Sequence, residues 1–115
     1  MKNWGMRSVF AAAAIVTVSY PALAGVSTFT NPGTITHFED YGSSLQVSTS
    51  AAITNPAGCA STALYLPKST LTDAEKQNLS RDLLAAFVAG KNVQLKIDGT
   101  ACNSGSPSYY AVIID

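Results

Sequence analysis

The sequence has few of the side chains on which most enzyme and metal sites depend. Its 115 residues include one histidine and two cysteines, and only 12% are charged. No P-loop, dinucleotide-binding fingerprint or G-x-S-x-G motif occurs. His37 stands close to Glu39 and Asp40, but no second histidine or calcium-loop spacing supports a metal. We therefore expect a half-exposed strand residue at His37, with no catalytic residue, no metal and no cofactor.

A concentrated basic run is also missing. Lysine and arginine together number seven, the same as aspartate and glutamate, and Lys2 and Arg7 lie at the very start of the chain. The remainder is therefore mildly acidic. Nucleic-acid binders normally present a concentrated basic face, and anionic membranes attract a basic patch. The composition thus argues against both kinds of partner.

The first 24 residues have the three parts of a secretory signal peptide. Lys2 and Arg7 form the positive region, an apolar run covers 9–18, and Ala22-Leu23-Ala24 is a small-x-small cleavage pattern. The apolar run is shorter than the about 20 residues that span a bilayer. We predict cleavage after Ala24, no membrane insertion afterwards, and one exported domain over 25–115, either periplasmic or secreted.

Alternating residues and turn signals in 25–115 predict the order β-β-β-α-β-β. The stretch "GVSTFTNPG" is expected to be a loose N-terminal arm that ends in a turn. Period-two alternation or β-branched content predicts strands at 34–38, at 45–53, at 60–68, within 90–102 and at 108–115. In the fourth of these, Val93, Leu95 and Ile97 should face inward, while Asp98 faces outward and begins a turn with Gly99. The predicted fold class is α+β, a small antiparallel sheet or an OB-like barrel with one amphipathic helix.

The helix is predicted between Thr72 and Gly90. Thr72 with Glu75 forms a capping box, and Gly90 is suited to a left-handed C-terminal position. One apolar stripe follows helical spacing and consists of Leu79, Leu83, Ala86, Phe87 and Gly90. A single amphipathic helix must bury its stripe elsewhere, so it should pack on the sheet.

The two cysteines are expected to form one disulfide, Cys59–Cys102. Export places the chain in an oxidising compartment, and a small domain has a thin core that gains from a covalent link. A redox role would need a C-x-x-C pair or a lone activated thiol, and the sequence has neither.

Tyrosines near turns are the candidates for ligand contact. Tyr41 and the pair Tyr109-Tyr110 stand beside small hydroxyl residues, and tyrosine offers apolar area with a hydrogen-bonding tip. One member of the pair must face the core. Glycans and proteins are both suitable ligands for such a surface.

The segment "LLAAFVAGKNVQLKIDGTAC" and the layout around it resemble the small secreted B subunits of pertussis-like and subtilase-type AB toxins. The resemblance covers about 58–115 and lies mainly in the junction from Leu83-Leu84 to Gly90-Lys91-Asn92-Val93. It implies an OB-type barrel and a ring-forming, glycan-binding module without catalytic activity. The expected function is thus a non-catalytic exported binding module, as a glycan-binding homo-oligomer or as a monomeric periplasmic inhibitor or accessory protein.

Overall fold

A computed structural model describes residues 25–40 and 45–115. It has α+β architecture, with one helix and a mixed sheet of six strands. The elements in chain order are β1 (Thr28–Phe29), β2 (Gly33–Asp40), β3 (Leu45–Thr49), β4 (Leu66–Pro67), α1 (Asp73–Ala89), β5 (Asn92–Asn103) and β6 (Ser106–Ile114). The α+β class with one helix and one disulfide is confirmed.

The sheet runs in the order β3-β2-β5-β6-β4, and β1 pairs with β5 beside β2. A purely antiparallel sheet was the wrong prediction, because β4 pairs with β6 in parallel. The third predicted strand is also much shorter than expected, since only Leu66–Pro67 is regular. A single bridge joins Val47 to Tyr65, between β3 and the residue before β4. The two ends of the sheet therefore meet at one point without a continuous ladder, and the sheet is not closed.

The N-terminal arm is held against β5, so the prediction of a loose arm with a turn is wrong. Thr28 and Phe29 pair with Ile97 and Lys96. Thr30 is buried, and its backbone N–H and side-chain Oγ1 bond the carbonyl and the amide of Leu95 respectively. The Thr30 hydroxyl thus takes the place of a backbone carbonyl as the acceptor for the Leu95 amide. The Asn-Pro-Gly stretch connects β1 to β2 along one edge of β5 instead of turning the chain away.

The helix follows the predicted signals closely. The Thr72 side chain accepts from the Glu75 amide, the Glu75 carboxylate accepts from the Thr72 amide, and Gly90 has a φ of 66°. Leu79, Leu83 and Ala86 are buried against the sheet. Phe87 departs from the predicted stripe, because it is largely exposed.

The core lies between α1 and the curled sheet. Val93, Leu95 and Ile97 of β5 are buried as predicted and join Tyr65 and Tyr109 in one cluster. After Ile97, the prediction of an outward-facing Asp98 and a turn at Gly99 is wrong. Asp98 is 4% exposed, and β5 continues through Gly99 to Asn103.

The predicted disulfide is present. Cys59 and Cys102 are bonded with a Cα–Cα distance of 5.9 Å. The bond ties the irregular segment before β4 to the far end of β5. The predicted signal peptide, residues 1–24, lies outside the described residues. In the described ranges, no helix has the length and apolar character needed to cross a membrane.

Candidate functional site

The three tyrosines named from the sequence have different environments. Tyr109 has no exposed surface, and its hydroxyl donates to the carbonyl oxygen of Leu45 at 3.1 Å. Burial, with a further contribution from the charge of Asp40, raises the pKa of Tyr109 far above its ordinary value. Tyr110 is half-buried, and Tyr41 lies outside the described residues. One of the two neighbouring tyrosines was expected to face the core, and in the structure this is Tyr109, so its side chain has no surface for a ligand. Tyr110 keeps part of its side chain exposed.

Tyr110 belongs to a polar cluster at the junction of β4, β5 and β6. The ammonium nitrogen of Lys68 lies 5.2 Å from the centre of the Tyr110 ring and 2.9 Å from Oδ2 of Asp98. Oδ1 of Asp98 accepts from the amide and the hydroxyl of Thr100. Lys68 is thus held between an aromatic face and a buried carboxylate, an arrangement that desolvates and fixes its charge.

Opposing effects act on the Asp98 carboxyl group. Burial disfavours its charged form, but the Lys68 ammonium and the Thr100 donors stabilise that form more strongly, so its pKa lies below the ordinary value. Oδ2 has no hydrogen-bond partner of good angular geometry in the described chain. Its compensation is the close ionic contact with Lys68. The cluster is internally paired, which suits a structural role.

A groove with a volume of about 490 Å³ runs along α1 from Asp73 to Leu84. Its walls come from α1, from the ends of β2 and β4 and from the start of β3. The lining residues are Asp40, Leu45, Pro67, Asp73, Lys76, Gln77, Ser80, Arg81 and Leu84. The volume falls within the roughly 300–1,000 Å³ range of small-molecule sites.

The helix cap explains why these side chains converge. The Thr72 capping box fixes where α1 begins, and residues three and four apart then share a face. Lys76, Ser80 and Leu84 follow at intervals of four, with Gln77 and Arg81 beside them. Ser80 Oγ donates to Oδ2 of Asp40 at 3.0 Å, which joins the helix to the end of β2.

The groove has both hydrogen-bond donors and acceptors. Lys76 and Arg81 can donate, the carboxylates of Asp40 and Asp73 can accept, and Gln77 can do both. In the described part of the chain, Lys76 forms no ion pair. Leu45, Pro67 and Leu84 add apolar surface. Such a mixture can bind a polar molecule that also has an apolar face.

No histidine-centred catalytic arrangement occurs around the groove among the described residues. The His37 ring hydrogen-bonds with Glu39, and both side chains are partly exposed. Across residues 25–40 and 45–115, no hydroxyl is hydrogen-bonded to the histidine, and no three metal-binding side chains cluster. In the groove itself the Ser80 hydroxyl donates to the Asp40 carboxylate, and no histidine lines the groove among the described residues.

Next to the groove, α1 exposes an apolar surface that we call the helix face: Leu84, Phe87 and Val88. Their exposed fractions are 46%, 42% and 78%. The Phe87 ring stacks on Phe38 of β2, with ring centres 6.0 Å apart. Leu84 lines both the groove and the helix face, so the two surfaces are continuous.

Comparisons with known proteins give this chain no relative. No protein-family model, no curated protein and no solved structure matches it. The assignment of a function therefore depends on the geometry described above.

The groove was not found from the sequence. The spacing of Lys76, Ser80 and Leu84 along a capped helix would have indicated one polar wall. No local signal relates that wall to Asp40, Leu45 or Pro67, which belong to three other elements. The tyrosine hypothesis used local turn context, and none of the described groove residues is aromatic.

Proposed function

We propose that the chain is a non-catalytic exported binding module, and that the groove along α1 binds a glycan. The observation that carries the proposal is the groove's lining, which combines charged and amide groups that donate and accept hydrogen bonds with apolar surface from Leu45, Pro67 and Leu84. Sugars present hydroxyl groups that donate and accept, together with C–H surfaces that pack on apolar side chains. The Cys59–Cys102 disulfide agrees with an exported location, because disulfides persist in oxidising compartments.

An OB-like arrangement and a homo-oligomeric ring are part of the same proposal. The Val47–Tyr65 bridge supports it, since the two ends of the sheet already meet at that point. The helix between strands and the Gly90 junction support the toxin-B-like resemblance. A ring would raise the apparent affinity of a weak sugar site through multivalency.

Glycan binding can be tested on a glycan array with the exported, oxidised protein. We expect Lys76→Ala to lower the signal about tenfold, because a charged hydrogen bond to a ligand contributes roughly 1.5–3 kcal/mol. Lys91→Ala is the matched control, since Lys91 is exposed just beyond the other end of the helix. Binding that Lys76→Ala and Lys91→Ala reduce equally would exclude the groove, and an array without signal would remove the glycan proposal.

Protein binding is a second candidate function, and the helix face favours it. Exposed apolar residues at helical spacing are typical of surfaces that a partner covers. This candidate corresponds to a monomeric accessory or inhibitory protein. Light scattering on a sizing column separates the alternatives: a defined oligomer supports the ring, and a monomer favours an accessory protein. Val88→Lys should dissociate an oligomer formed through the helix face without unfolding the chain, because Val88 is 78% exposed.

A further inference from the structure

Residues 50–64 form one irregular segment between β3 and β4. Connections longer than about 12 residues without regular structure are uncommon in small domains, and many are functional. This segment is also tightly organised. The Asn55 side chain donates to the carbonyl of Cys59 and accepts from its amide, at 2.9 and 2.8 Å. The amide of Thr54 donates to the hydroxyl of Tyr65 at 2.8 Å.

Four consecutive residues at the end of this segment are all exposed: Ala60, Ser61, Thr62 and Ala63. We call them the exposed loop. Buried anchors stand on both sides of it. On one side Cys59 is bonded to Cys102, and on the other the backbone of Tyr65 exchanges two hydrogen bonds with Val47. The loop is therefore fixed at both ends while its side chains face solvent.

The backbone of the exposed loop is largely unpaired within the described chain. One hydrogen bond supports it from behind, between the amide of Ser61 and the carbonyl of Gly105 at 2.9 Å. No residue from Cys59 to Leu64 has a left-handed φ, and the backbone bends at Ala60 and Ala63, with Ser61 and Thr62 between the two bends. Unpaired backbone groups and small side chains are what an endopeptidase cleft recognises in an extended substrate, and a loop held in advance loses little entropy when it binds.

We propose that the exposed loop is a substrate-like inhibitory loop for a secreted endopeptidase whose primary specificity pocket accepts small side chains. The loop presents two alanines, a serine and a threonine. These side chains are too small to fill a large specificity pocket and carry no charge for a charged one. If the enzyme cleaves the loop, one water is consumed, its hydroxyl joining the acyl carbon and its proton the new amine. The disulfide and the Val47–Tyr65 pairing would keep both new ends in place, so cleavage would not release the enzyme. This surface differs from the groove, and the proposal is independent of glycan binding.

An inhibition assay with pancreatic elastase, whose primary pocket is small, tests the proposal, with trypsin as the enzyme of unmatched specificity. The exported, oxidised protein should inhibit elastase competitively and leave trypsin active. Thr62→Trp should raise the inhibition constant about 100-fold, the size expected for a central contact residue. Thr70→Trp is the matched control, because Thr70 is an exposed threonine outside the loop.

A second measurement separates an inhibitor from an ordinary substrate. Mass spectrometry should find the oxidised protein uncut, or cut once within 60–63 with both parts still linked. The Cys59→Ser/Cys102→Ser variant should be digested and should not inhibit. No inhibition of elastase, equal effects of Thr62→Trp and Thr70→Trp, or rapid digestion of the oxidised protein would each overturn the proposal.

Discussion

The ammonium nitrogen of Lys68 lies 2.9 Å from a carboxylate oxygen of Asp98, at a position where β4 and β5 are separated by β6 in the sheet order. Removal of the cation would leave a buried carboxylate without its ionic partner. We expect Lys68→Ala to lower the free energy of unfolding by about 3 kcal/mol. Urea unfolding followed by circular dichroism measures the loss. Lys91→Ala, which removes an exposed lysine, should lower the free energy of unfolding much less.

The same ion pair should make stability depend on acid. The pKa of Asp98 lies below its ordinary value of 3.8, so its stabilisation is complete above that pH and is lost as pH falls through the lower, folded-state pKa. Asp98→Asn should therefore cost about 2 kcal/mol at neutral pH. The difference from the wild type should shrink below pH 3.8. If the difference in unfolding free energy between the wild type and Asp98→Asn stays constant through the acid range, the charge of Asp98 does not stabilise the fold.

The disulfide should supply a large part of the total stability. Its cysteines are separated by 43 positions, and loop-entropy arithmetic for that length gives about 4 kcal/mol. We expect Cys59→Ser/Cys102→Ser to lower the free energy of unfolding by about that amount. A reducing agent should have a similar effect on the wild type and none on the double variant. If reduction leaves the unfolding midpoint unchanged, the bond does not constrain the unfolded chain as calculated.

Gly99 should be intolerant of any side chain. A Cβ there would lie 2.4 Å from the carbonyl carbon of Val26, because the N-terminal arm crosses directly over it. Gly99→Ala should cost about 2 kcal/mol through overpacking. Amide hydrogen exchange should show faster exchange at the Thr30 amide, which bonds Leu95 in the native state. In a chain that begins at Thr28 the penalty should largely disappear, and its persistence would place the strain elsewhere.

The Phe38–Phe87 stack should couple β2 to α1. The rings lie 6.0 Å apart with 13° between their planes. A double-mutant cycle with Phe38→Ala and Phe87→Ala should give a coupling of about 1 kcal/mol. Phe38→Ala with Leu84→Ala is the comparison pair. Its coupling energy should be smaller, because the side chain that stacks on Phe38 is that of Phe87. Equal couplings in the two cycles would remove any special role for the stack.

The parts of the fold that depend on neighbours in sequence were predictable. The capping box from Thr72 to Glu75, the left-handed Gly90 and the inward alternation from Val93 to Ile97 involve contacts a few residues apart, or the side-chain period itself. The disulfide needed only the count of two cysteines and an oxidising compartment.

Several of the errors occurred where a distant partner overrides local preference. Asp98-Gly99 has strong turn propensity, but Lys68 neutralises the aspartate and the arm at Val26 covers the glycine. The Asn-Pro-Gly stretch was predicted as a turn, yet Thr30 bonds Leu95, 65 positions away. The groove belongs to the same class, since its walls come from four separate elements.

The pairing of the N-terminal arm also determines when this protein can fold. A chain is synthesised from its N-terminus, and the Ser27 hydroxyl accepts from the Gly99 amide, 72 positions later. The arm and β2 therefore have no partner on β5 until most of the chain exists, and Cys59 has to remain a thiol until Cys102 follows it. Such non-local pairing slows folding. Completion of the sheet and formation of the disulfide therefore both wait for β5, and until then Cys59 is a free thiol and β2 has an open edge.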